Sequence, residues 1–385
     1  MREAVVVAAA RTPIGRAHKG SLVSVRPDDL AAGVVREVVR RSGGDLPVDE
    51  VVVGCGYPWG EQGFNVARAV SLLAGQPAEV PAHTVSRLCA SSLQAVRAAH
   101  HAVALGEADT VVAGGVESVS RVGRDRRLAE PNPLLSPELP GPTVADLYVT
   151  MIQTAENVAK QYTVSRADMD AFAQRSQMRA VTARDAGVTA NEIVPVATPD
   201  GHEVVTDDGL RPWSTTEGLA ALPSVLGEGG TVTAGNASPL NDGAAAAVVM
   251  ATEVARLRGL TPTARILGSA VAGVDPTVMG MGPVEATRRV LDRLGLTLAD
   301  VDVFEMNEAF AAQVIACCRT LGIDEADERL NPLGGAIALG HPFGMSGVRL
   351  LTTCLNALAV RDGRIGLITM CVGGGQGQAL VVERI

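Results

Sequence analysis

The spacing of apolar residues along the chain alternates between two patterns. Short, mainly apolar runs at residues 4–10, 109–113 and 365–370 predict buried strands. Apolar positions three and four apart predict helices, for example at residues 28–41 and 345–360. Apolar strands that alternate with helices are typical of parallel strands covered on both faces. The pattern therefore predicts an α/β fold.

The same order of elements occurs twice, about 250 residues apart. A strand at residues 263–271 matches the one at residues 4–10, and the strand at 365–370 matches the one at 109–113. A further strand of the second copy is predicted at residues 298–304. We infer two copies of one α/β unit that face each other, and we expect chemistry where strands end and helices begin.

The stretch between the two copies has a different texture. Residues 121–127 are rich in arginine, and residues 131–142 contain five prolines, which exclude a regular helix or a central strand. Helices are predicted after it, at residues 151–161 and 165–186. The arginines are read either as a solvated loop or as a loop that faces a ligand or another subunit.

Composition narrows the class of protein. Of 385 residues, 47% are hydrophobic, and the net charge of −9 does not favour binding to nucleic acid or to an anionic membrane. No apolar run has membrane-spanning length, and the N-terminal residues are read as a strand instead of a signal peptide. The six cysteines lack CxxC or zinc spacing, which indicates reduced thiols and no metal site. We expect a cytoplasmic enzyme.

Cys89 is the first candidate for chemistry. A short extended run, residues 82–85, precedes it, and a helical pattern follows until Gly106. The sulfur is therefore expected near a helix N-terminus, where free N–H groups favour a thiolate. The alternative is that Cys89 is a small buried hydrophobe, as cysteine often is.

Four further stretches combine glycine with polar side chains at predicted turns or strand ends. Each has a structural alternative, such as a plain turn or a helix cap. His341 lies among glycines before a predicted helix, and Cys371 ends a strand in a glycine-rich turn. The stretches are residues 231–244, 305–310, 331–344 and 371–377.

Taken together, five motifs resemble those of the thiolase family, in the family's order and over essentially the whole chain. They are Cys-Ala-Ser-x-x-Gln-Ala at 89–95, Gly-Gly-x-Glu-Ser at 114–118, Asn-Glu-Ala-Phe at 307–310, Gly-Gly-Ala-Ile-Ala-x-Gly-His-Pro at 334–342 and Cys-x-Gly-Gly-Gly at 371–375. The resemblance implies two duplicated α/β halves with mixed, mainly parallel central sheets and an inserted loop domain. We assign residues 1–119 and 190–255 to the N-terminal half, 120–189 to the loop domain and 256–385 to the C-terminal half.

The resemblance also implies roles for individual residues. Cys89 would be the acylated nucleophile and His341 its base, while Cys371 would move a proton at the substrate α-carbon or the CoA thiol. Asn307 would hold a water that forms one oxyanion site with His341, and the N–H groups of Cys89 and Gly373 would form the other. Contacts with CoA and its acyl group would come from Arg211, Ser238, Met279 and Phe310.

The implied reaction is CoA-dependent cleavage of a 3-ketoacyl-CoA, or the reverse condensation. It needs no metal or redox cofactor, because CoA is a substrate and sulfur nucleophiles exchange readily with thioesters. The partners implied are acyl-CoA and CoA, and the assembly is a homodimer or homotetramer.

Four positions depart from the family pattern: Ser86, Ser92, Thr150 and Pro239. Thr150 weakens a dedicated acetoacetyl-CoA-forming role. Residues 278–283 and 370–378 look most like the 3-oxoadipyl-CoA branch, which is one alternative for the substrate.

Two other classes of protein are alternatives to a thiolase, and the presence of Cys371 argues against both. A related condensing enzyme would lack this thiol, and a non-catalytic acyl-CoA-binding protein would have lost a catalytic group.

Overall fold

The computed structural model describes residues 2–122, 132–135 and 146–385, so most of the arginine-rich and proline-rich stretches lies outside the described residues. The strands are β1 (Ala4–Arg11), β2 (Gly15–Arg16), β3 (Glu50–Cys55), β4 (Ala82–Val85), β5 (Thr110–Ser118), β6 (Val196–Ala197), β7 (Glu203–Val204), β8 (Asn241–Ala251), β9 (Ala264–Gly273), β10 (Val303–Met306), β11 (Ile365–Val372) and β12 (Gln376–Arg384). The helices are α1 (Pro27–Arg41), α2 (Val66–Leu73), α3 (Ser91–Leu105), α4 (Met151–Gln161), α5 (Arg166–Asp185), α6 (Thr216–Ala220), α7 (Thr252–Leu257), α8 (Gly282–Leu294), α9 (Ala311–Leu321), α10 (Ala336–Leu339) and α11 (Ser346–Val360). Among the described helices, none combines the length and apolar character that a membrane crossing requires.

Ten strands form one sheet in the order β10-β11-β12-β9-β1-β8-β5-β3-β4, with β2 paired to β8. β3 is parallel to β4 and β5, and β10 is parallel to β11. One strand in each part is reversed, because β8 is antiparallel to β1 and β5, and β12 is antiparallel to β9 and β11. The other strands of each part run the same way, which confirms the mixed, mainly parallel α/β fold. The two expected sheets are joined by a short antiparallel contact between β1 and β9.

The internal repeat is visible in the sheet order. The first part contains the run β3-β5-β8-β1, and the second contains β10-β11-β12-β9, with the reversed strand in the same place. β4 extends the first part by one edge strand. The duplication is therefore confirmed, whereas the domain limits stay a prediction.

The core is layered around α3 and α11, which both pack against one face of the sheet. α1 and α2 cover the opposite face of the first part, and α8 and α9 cover that of the second. The two central helices touch at Gly347, where a Cβ would lie 2.3 Å from the backbone nitrogen of Leu93. Ser92 Oγ also accepts the N–H of Val348 at 3.0 Å. This close approach brings one helix start from each part together.

The strand predicted at residues 298–304 is wrong except at its last two residues. Leu298–Asp300 form a 3₁₀ turn, and β10 begins at Val303. Asp300 Oδ2 accepts both the N–H and the hydroxyl of Thr297 at 2.7 Å. Such a capping box satisfies the local backbone in a turn, and it outweighs the apolar spacing that favours a strand.

Candidate active site

Cys89 lies in the connection between β4 and α3. Leu88–Ala90 form a 3₁₀ turn, in which Leu88 has a left-handed φ of 45°, and α3 follows at Ser91. Ser91 Oγ accepts the N–H of Arg87 at 3.0 Å and donates to the carbonyl of Leu88 at 2.6 Å. These bonds hold the turn that points Cys89 toward the second part of the chain.

The surroundings of the Cys89 sulfur shift its pKa in both directions. The N–H groups of Gly373 and of Cys89 itself face the sulfur and lower its pKa, as expected near a helix start. Burial is the larger effect, however, and raises the pKa of Cys89 to about 11. The N–H groups thus favour the thiolate as expected, but burial outweighs them and keeps the resting group a neutral thiol. A base is needed to activate it.

His341 is buried in the turn between α10 and α11. Its Nδ1 lies 2.6 Å from Ser346 Oγ, and that hydroxyl donates to the carbonyl of Pro342 at 2.8 Å. Because the serine proton is used on Pro342, Nδ1 carries the ring proton and Nε2 keeps its lone pair. Burial and the nearby Arg349 cation lower the pKa of His341 to about 3. A neutral imidazole with an unprotonated Nε2 is suited to act as a base.

Asn307 follows β10 and lies against His341. Its Nδ2 is 3.3 Å from His341 Nε2, and its Oδ1 accepts from Arg349 Nη2 at 3.5 Å. The backbone N–H of Asn307 donates to the carbonyl of Thr369 on β11 at 2.9 Å. Arg349 therefore orients the amide so that its NH₂ group faces the ring.

Cys371 ends the strand beside Asn307. The side chain is 1% exposed and packs in one apolar cluster with Met279 and Phe310. Burial raises the pKa of the Cys371 thiol well above its usual value, and negative charge on Cys89 raises it further. Of the residues predicted to line the acyl group, Met279 and Phe310 thus lie beside this second thiol.

The two remaining predicted contacts differ. Ser238 lies near Phe310, since its N–H and hydroxyl both donate to the carbonyl of Ala309, at 3.0 and 3.1 Å. Arg211 donates its backbone N–H to Gln177 Oε1 at 2.9 Å and has Arg16 as a neighbouring cation. None of the described contacts of Arg211 reaches the cysteines or His341, so the structure does not bring it into this cluster.

Glu117, at the end of β5, connects two loops at the site. Its carboxylate accepts the N–H groups of Gly56 at 2.9 Å, Tyr57 at 3.2 Å and Gly344 at 2.9 Å. A fourth donor is the side-chain amide of Gln62. Burial raises the pKa of Glu117 to about 7, although all four donors act against this rise. The group holds the loops on two sides of Cys89.

A cavity of about 490 Å³ opens beside Cys89 and Gly373. Aromatic and aliphatic side chains form most of its wall, and Thr150 and the tyrosines contribute the hydroxyl groups. Its size lies in the range of small-molecule sites. The cavity gives a substrate direct access to the sulfur.

Three contributors to the site have no predicted role: Glu117, Ser346 and Arg349. Glu117 lies within a quoted motif, and a carboxyl at the end of an apolar strand is a signal of its own. Arg349 is the only charged residue in α11. Ser346 begins that helix five residues after His341. A lone charge in an apolar helix would have pointed to a buried partner.

Comparison with known proteins defines the class. The model of the thiolase N-terminal domain matches residues 4–253, and the model of the thiolase C-terminal domain matches residues 260–384. The chain therefore belongs to the thiolase family and is an acyltransferase, which confirms the resemblance drawn from the five motifs.

Individual relatives are similar over their full length. The chain is 49% identical to a beta-ketoadipyl-CoA thiolase of Pseudomonas aeruginosa and 46% identical to a 3-ketoacyl-CoA thiolase of Bacillus subtilis, with 100% of each chain covered. The crystal structure of the Bacillus anthracis acetyl-CoA acetyltransferase matches with a TM-score of 0.90 at 38% identity, covering 100% of this chain and 99% of that one.

Proposed function

We propose that the protein cleaves 3-ketoacyl-CoA with CoA to give acetyl-CoA and a shortened acyl-CoA, or runs the reverse condensation, through an acyl-Cys89 intermediate. The observation that carries this proposal is that Cys89 and Gly373, which come from the two parts of the chain, line one cavity, with the Gly373 N–H facing the sulfur. Nucleophile and proton carrier are thus contributed from the two parts.

In the first half-reaction, His341 Nε2 takes the proton of the Cys89 thiol as the sulfur attacks the 3-keto carbonyl carbon. The bond between C2 and C3 then breaks, and the enolate of acetyl-CoA takes a proton from the Cys371 thiol. The acyl group remains on Cys89 as a thioester.

In the second half-reaction, the Cys371 thiolate takes the proton of the CoA thiol. The CoA sulfur attacks the acyl-Cys89 carbonyl, the Cys89 thiolate leaves, and His341 returns its proton. Every group ends in its starting protonation state.

Two negative charges need stabilisation. The N–H groups of Cys89 and Gly373 are suited to hold the tetrahedral oxyanion, and each such donor is typically worth about 3–4 kcal/mol. For the enolate we assign His341, which becomes an Nε2–H donor after it takes the Cys89 proton, together with a water on Asn307. The 3.3 Å contact between Asn307 Nδ2 and His341 Nε2 supports this pairing.

Mass spectrometry of the intact protein tests the intermediate. After incubation with acetoacetyl-CoA, we expect an added acetyl mass on the wild type and none on Cys89→Ala. Cys354→Ala is a matched control, because Cys354 is also a free thiol but lies buried in α11 without these neighbours. An adduct that persists in Cys89→Ala would refute the proposed nucleophile.

The remaining assignments follow from the same chemistry. We propose that no resident cofactor takes part, since thiol, imidazole and backbone N–H groups supply each step and CoA is a substrate. The six cysteines are all free, which supports a reducing, cytoplasmic location.

A homo-oligomer is supported by β4, the last strand in the sheet order, whose residues are only partly buried. Sedimentation of the purified protein at several concentrations would distinguish dimer, tetramer and monomer.

A further inference from the structure

The two N–H groups assigned to the tetrahedral oxyanion lie on different parts of the chain. One belongs to Cys89, in the turn before α3, and the other to Gly373, in the turn between β11 and β12. An oxyanion is stabilised well only when both donors lie within hydrogen-bond distance of it. The relative position of the two turns therefore decides how well the oxyanion is stabilised.

The side chain of Arg87 joins the two turns. Arg87 lies two residues before Cys89, and its Nη1 donates to Gln376 Oε1 at 2.8 Å. Gln376 is the first residue of β12 and lies three residues after Gly373. The Nε of Arg87 donates to Gln94 Oε1 on α3 at 3.1 Å. One guanidinium thus connects the two parts of the molecule, and we name this set of three side chains the arginine bridge.

Both ends of the arginine bridge are fixed to the backbone. The N–H of Arg87 donates to Ser91 Oγ at 3.0 Å, so the arginine belongs to the same hydrogen-bonded turn as the nucleophile. At the other end, Gln376 is paired with Val372 of β11 and with Gly273 of β9. Because neither end can shift without disturbing these backbone bonds, the bridge fixes the distance between the two turns.

The turn that carries Gly373 needs such a support. It consists of three consecutive glycines, of which Gly374 and Gly375 have left-handed φ values of 75° and 78°. Glycine has more conformational freedom than other residues, so it holds a turn less firmly. One end of the turn is tied down, because the carbonyl of Gly375 accepts the N–H of Val274 at 2.8 Å. The arginine bridge supports the same turn from the side of the nucleophile.

The arginine bridge has a counterpart on the other side of the nucleophile. Ser92 Oγ accepts the N–H of Val348 on α11, the helix that follows His341. Cys89 therefore lies, along the chain, between two contacts with the second part of the molecule. The contact at Ser92 leads to the base, and the contact at the arginine bridge leads to the N–H of Gly373.

We propose, on the basis of the thiolysis proposed above, that Arg87 is a positioning residue for the oxyanion site. Through Gln376 it sets the spacing between the N–H groups of Cys89 and Gly373, and it takes no part in activating the thiol. Loss of Arg87 should therefore slow reactions that pass through a tetrahedral oxyanion and spare those that do not.

Two reactions of the same sulfur test this separation. Thiolysis of acetoacetyl-CoA forms the tetrahedral oxyanion. With iodoacetamide, the Cys89 sulfur attacks a saturated carbon and displaces iodide, the thiol proton passes to His341, and no oxyanion forms. For Arg87→Met we expect kcat for acetoacetyl-CoA to fall about 10- to 100-fold, because small displacements of reacting groups and donors are costly. The rate of alkylation, followed by mass spectrometry of the Cys89 peptide, should stay nearly unchanged.

Matched variants locate the effect in the arginine bridge. Gln376→Met removes the same bond from the other end, and the double variant Arg87→Met/Gln376→Met should lose no more kcat than the more affected single variant. Arg87→Lys retains one donor and should recover part of the loss. Arg68→Met is the control and should leave both rates unchanged, because Arg68 also donates to neutral oxygens, the carbonyls of Ala78 and Val80, at 2.8 and 2.6 Å.

Three results would overturn the proposal while leaving thiolysis intact. An equal loss of alkylation in Arg87→Met would show that the arginine only maintains the nucleophile turn. Additive losses in the double variant would show that the bond to Gln376 does not carry the effect. A loss for 3-oxoadipyl-CoA with none for acetoacetyl-CoA would make Arg87 a contact for a charged substrate. If the wild type does not cleave acetoacetyl-CoA at all, the proposed function itself fails.

Discussion

The two parts of the molecule repeat one topology but place opposite chemical conditions at corresponding corners. In the first part, Cys89 precedes α3, keeps some exposed surface and faces a cavity. In the second part, His341 precedes α11 and is 2% exposed. Burial raises the pKa of Cys89 and lowers that of His341, so both groups rest neutral. The duplication gives the molecule two equivalent helix starts. The surroundings of Cys89 suit it to bind the acyl group, and those of His341 suit it to accept and return protons.

This difference has a consequence for when charge forms. A thiolate beside an imidazolium is disfavoured in the free site, because burial opposes both charged forms. Proton transfer from Cys89 to His341 becomes favourable once a carbonyl group lies against the N–H groups of Cys89 and Gly373. The negative charge then moves from the sulfur to the carbonyl oxygen, which these N–H groups stabilise as an oxyanion. The site is therefore suited to react with a carbonyl group bound against these N–H groups in preference to other electrophiles.

The largest expected effect comes from removing the Cys371 thiol, which we propose acts as the proton carrier while Cys89 acts as the nucleophile. Cys371→Ser should lower cleavage of acetoacetyl-CoA by about 10³-fold, because general acid–base catalysis contributes about 10²–10⁴-fold. Transfer of an acetyl group from acetyl-CoA onto Cys89 should change less, since Cys371 there gives its proton to a leaving thiolate, which is a far weaker base than the enolate. Parallel measurement of thiolysis and of acetyl-enzyme formation gives the comparison. Equal loss of both would show that the two thiols do not have separate roles.

A second test compares acid stability with and without the buried imidazole. The pKa of His341 is about 3 in the folded protein, against 6.5 for the ordinary group. Between these values the unfolded chain binds a proton that the folded chain does not, so the free energy of unfolding falls as the pH falls. From pH 6.5 to 5.0 we expect the wild type to lose about 2 kcal/mol more than His341→Asn.

Urea unfolding of both proteins at the two pH values measures this difference. The comparison with a variant is needed because Glu117 and Glu305, with pKa values raised to about 7 and about 8, change stability in the opposite direction. These carboxyls lose their stabilising effect as the pH rises from 4.5. An identical pH dependence in the two proteins would contradict a neutral, buried His341.

The smallest expected effect comes from a substitution that changes the surroundings of His341 alone. Ser346→Ala removes the acceptor of the His341 Nδ1 proton, a bond worth about 1 kcal/mol, or roughly fivefold in kcat/KM. The pH profile of kcat/KM should shift as well, because the ring loses the group that sets its tautomer. Thr352→Ala, further along α11 and bonded to Val348, is the control. A lower stability with unchanged pH profile would reduce Ser346 to a packing role.

Local periodicity is sufficient for many of the elements. The helix predicted at 151–161 coincides with α4, and Gly106 ends α3 with a left-handed φ of 81°. Strand direction is harder to predict, because β8 is as buried as β1 and β5 on either side of it, and its sequence carries no mark of its reversed direction. The five motifs supply what periodicity cannot, namely the fold that joins these elements.

The site shows the same limit. Cys89, His341 and Cys371 are recognisable because each lies at a predicted boundary between elements, among glycines or at a helix start. The contacts of Glu117 join residues 61 and 227 positions apart in the chain, and no local pattern contains them. Burial of the Cys89 sulfur is likewise a property of the assembled parts, which is why the direction of its pKa shift was not predictable.

The helix crossing at Gly347 limits how this enzyme can change over time. A single methyl group added at Gly347 would clash with the backbone of α3 at Leu93, four residues after Cys89. The space between the two repeated units is therefore too small for one more carbon atom. Neither unit is then free to drift in sequence without a compensating change in the other. The two units arose as copies, but the contact at Gly347 means that substitutions in one unit are tolerated only together with matching substitutions in the other.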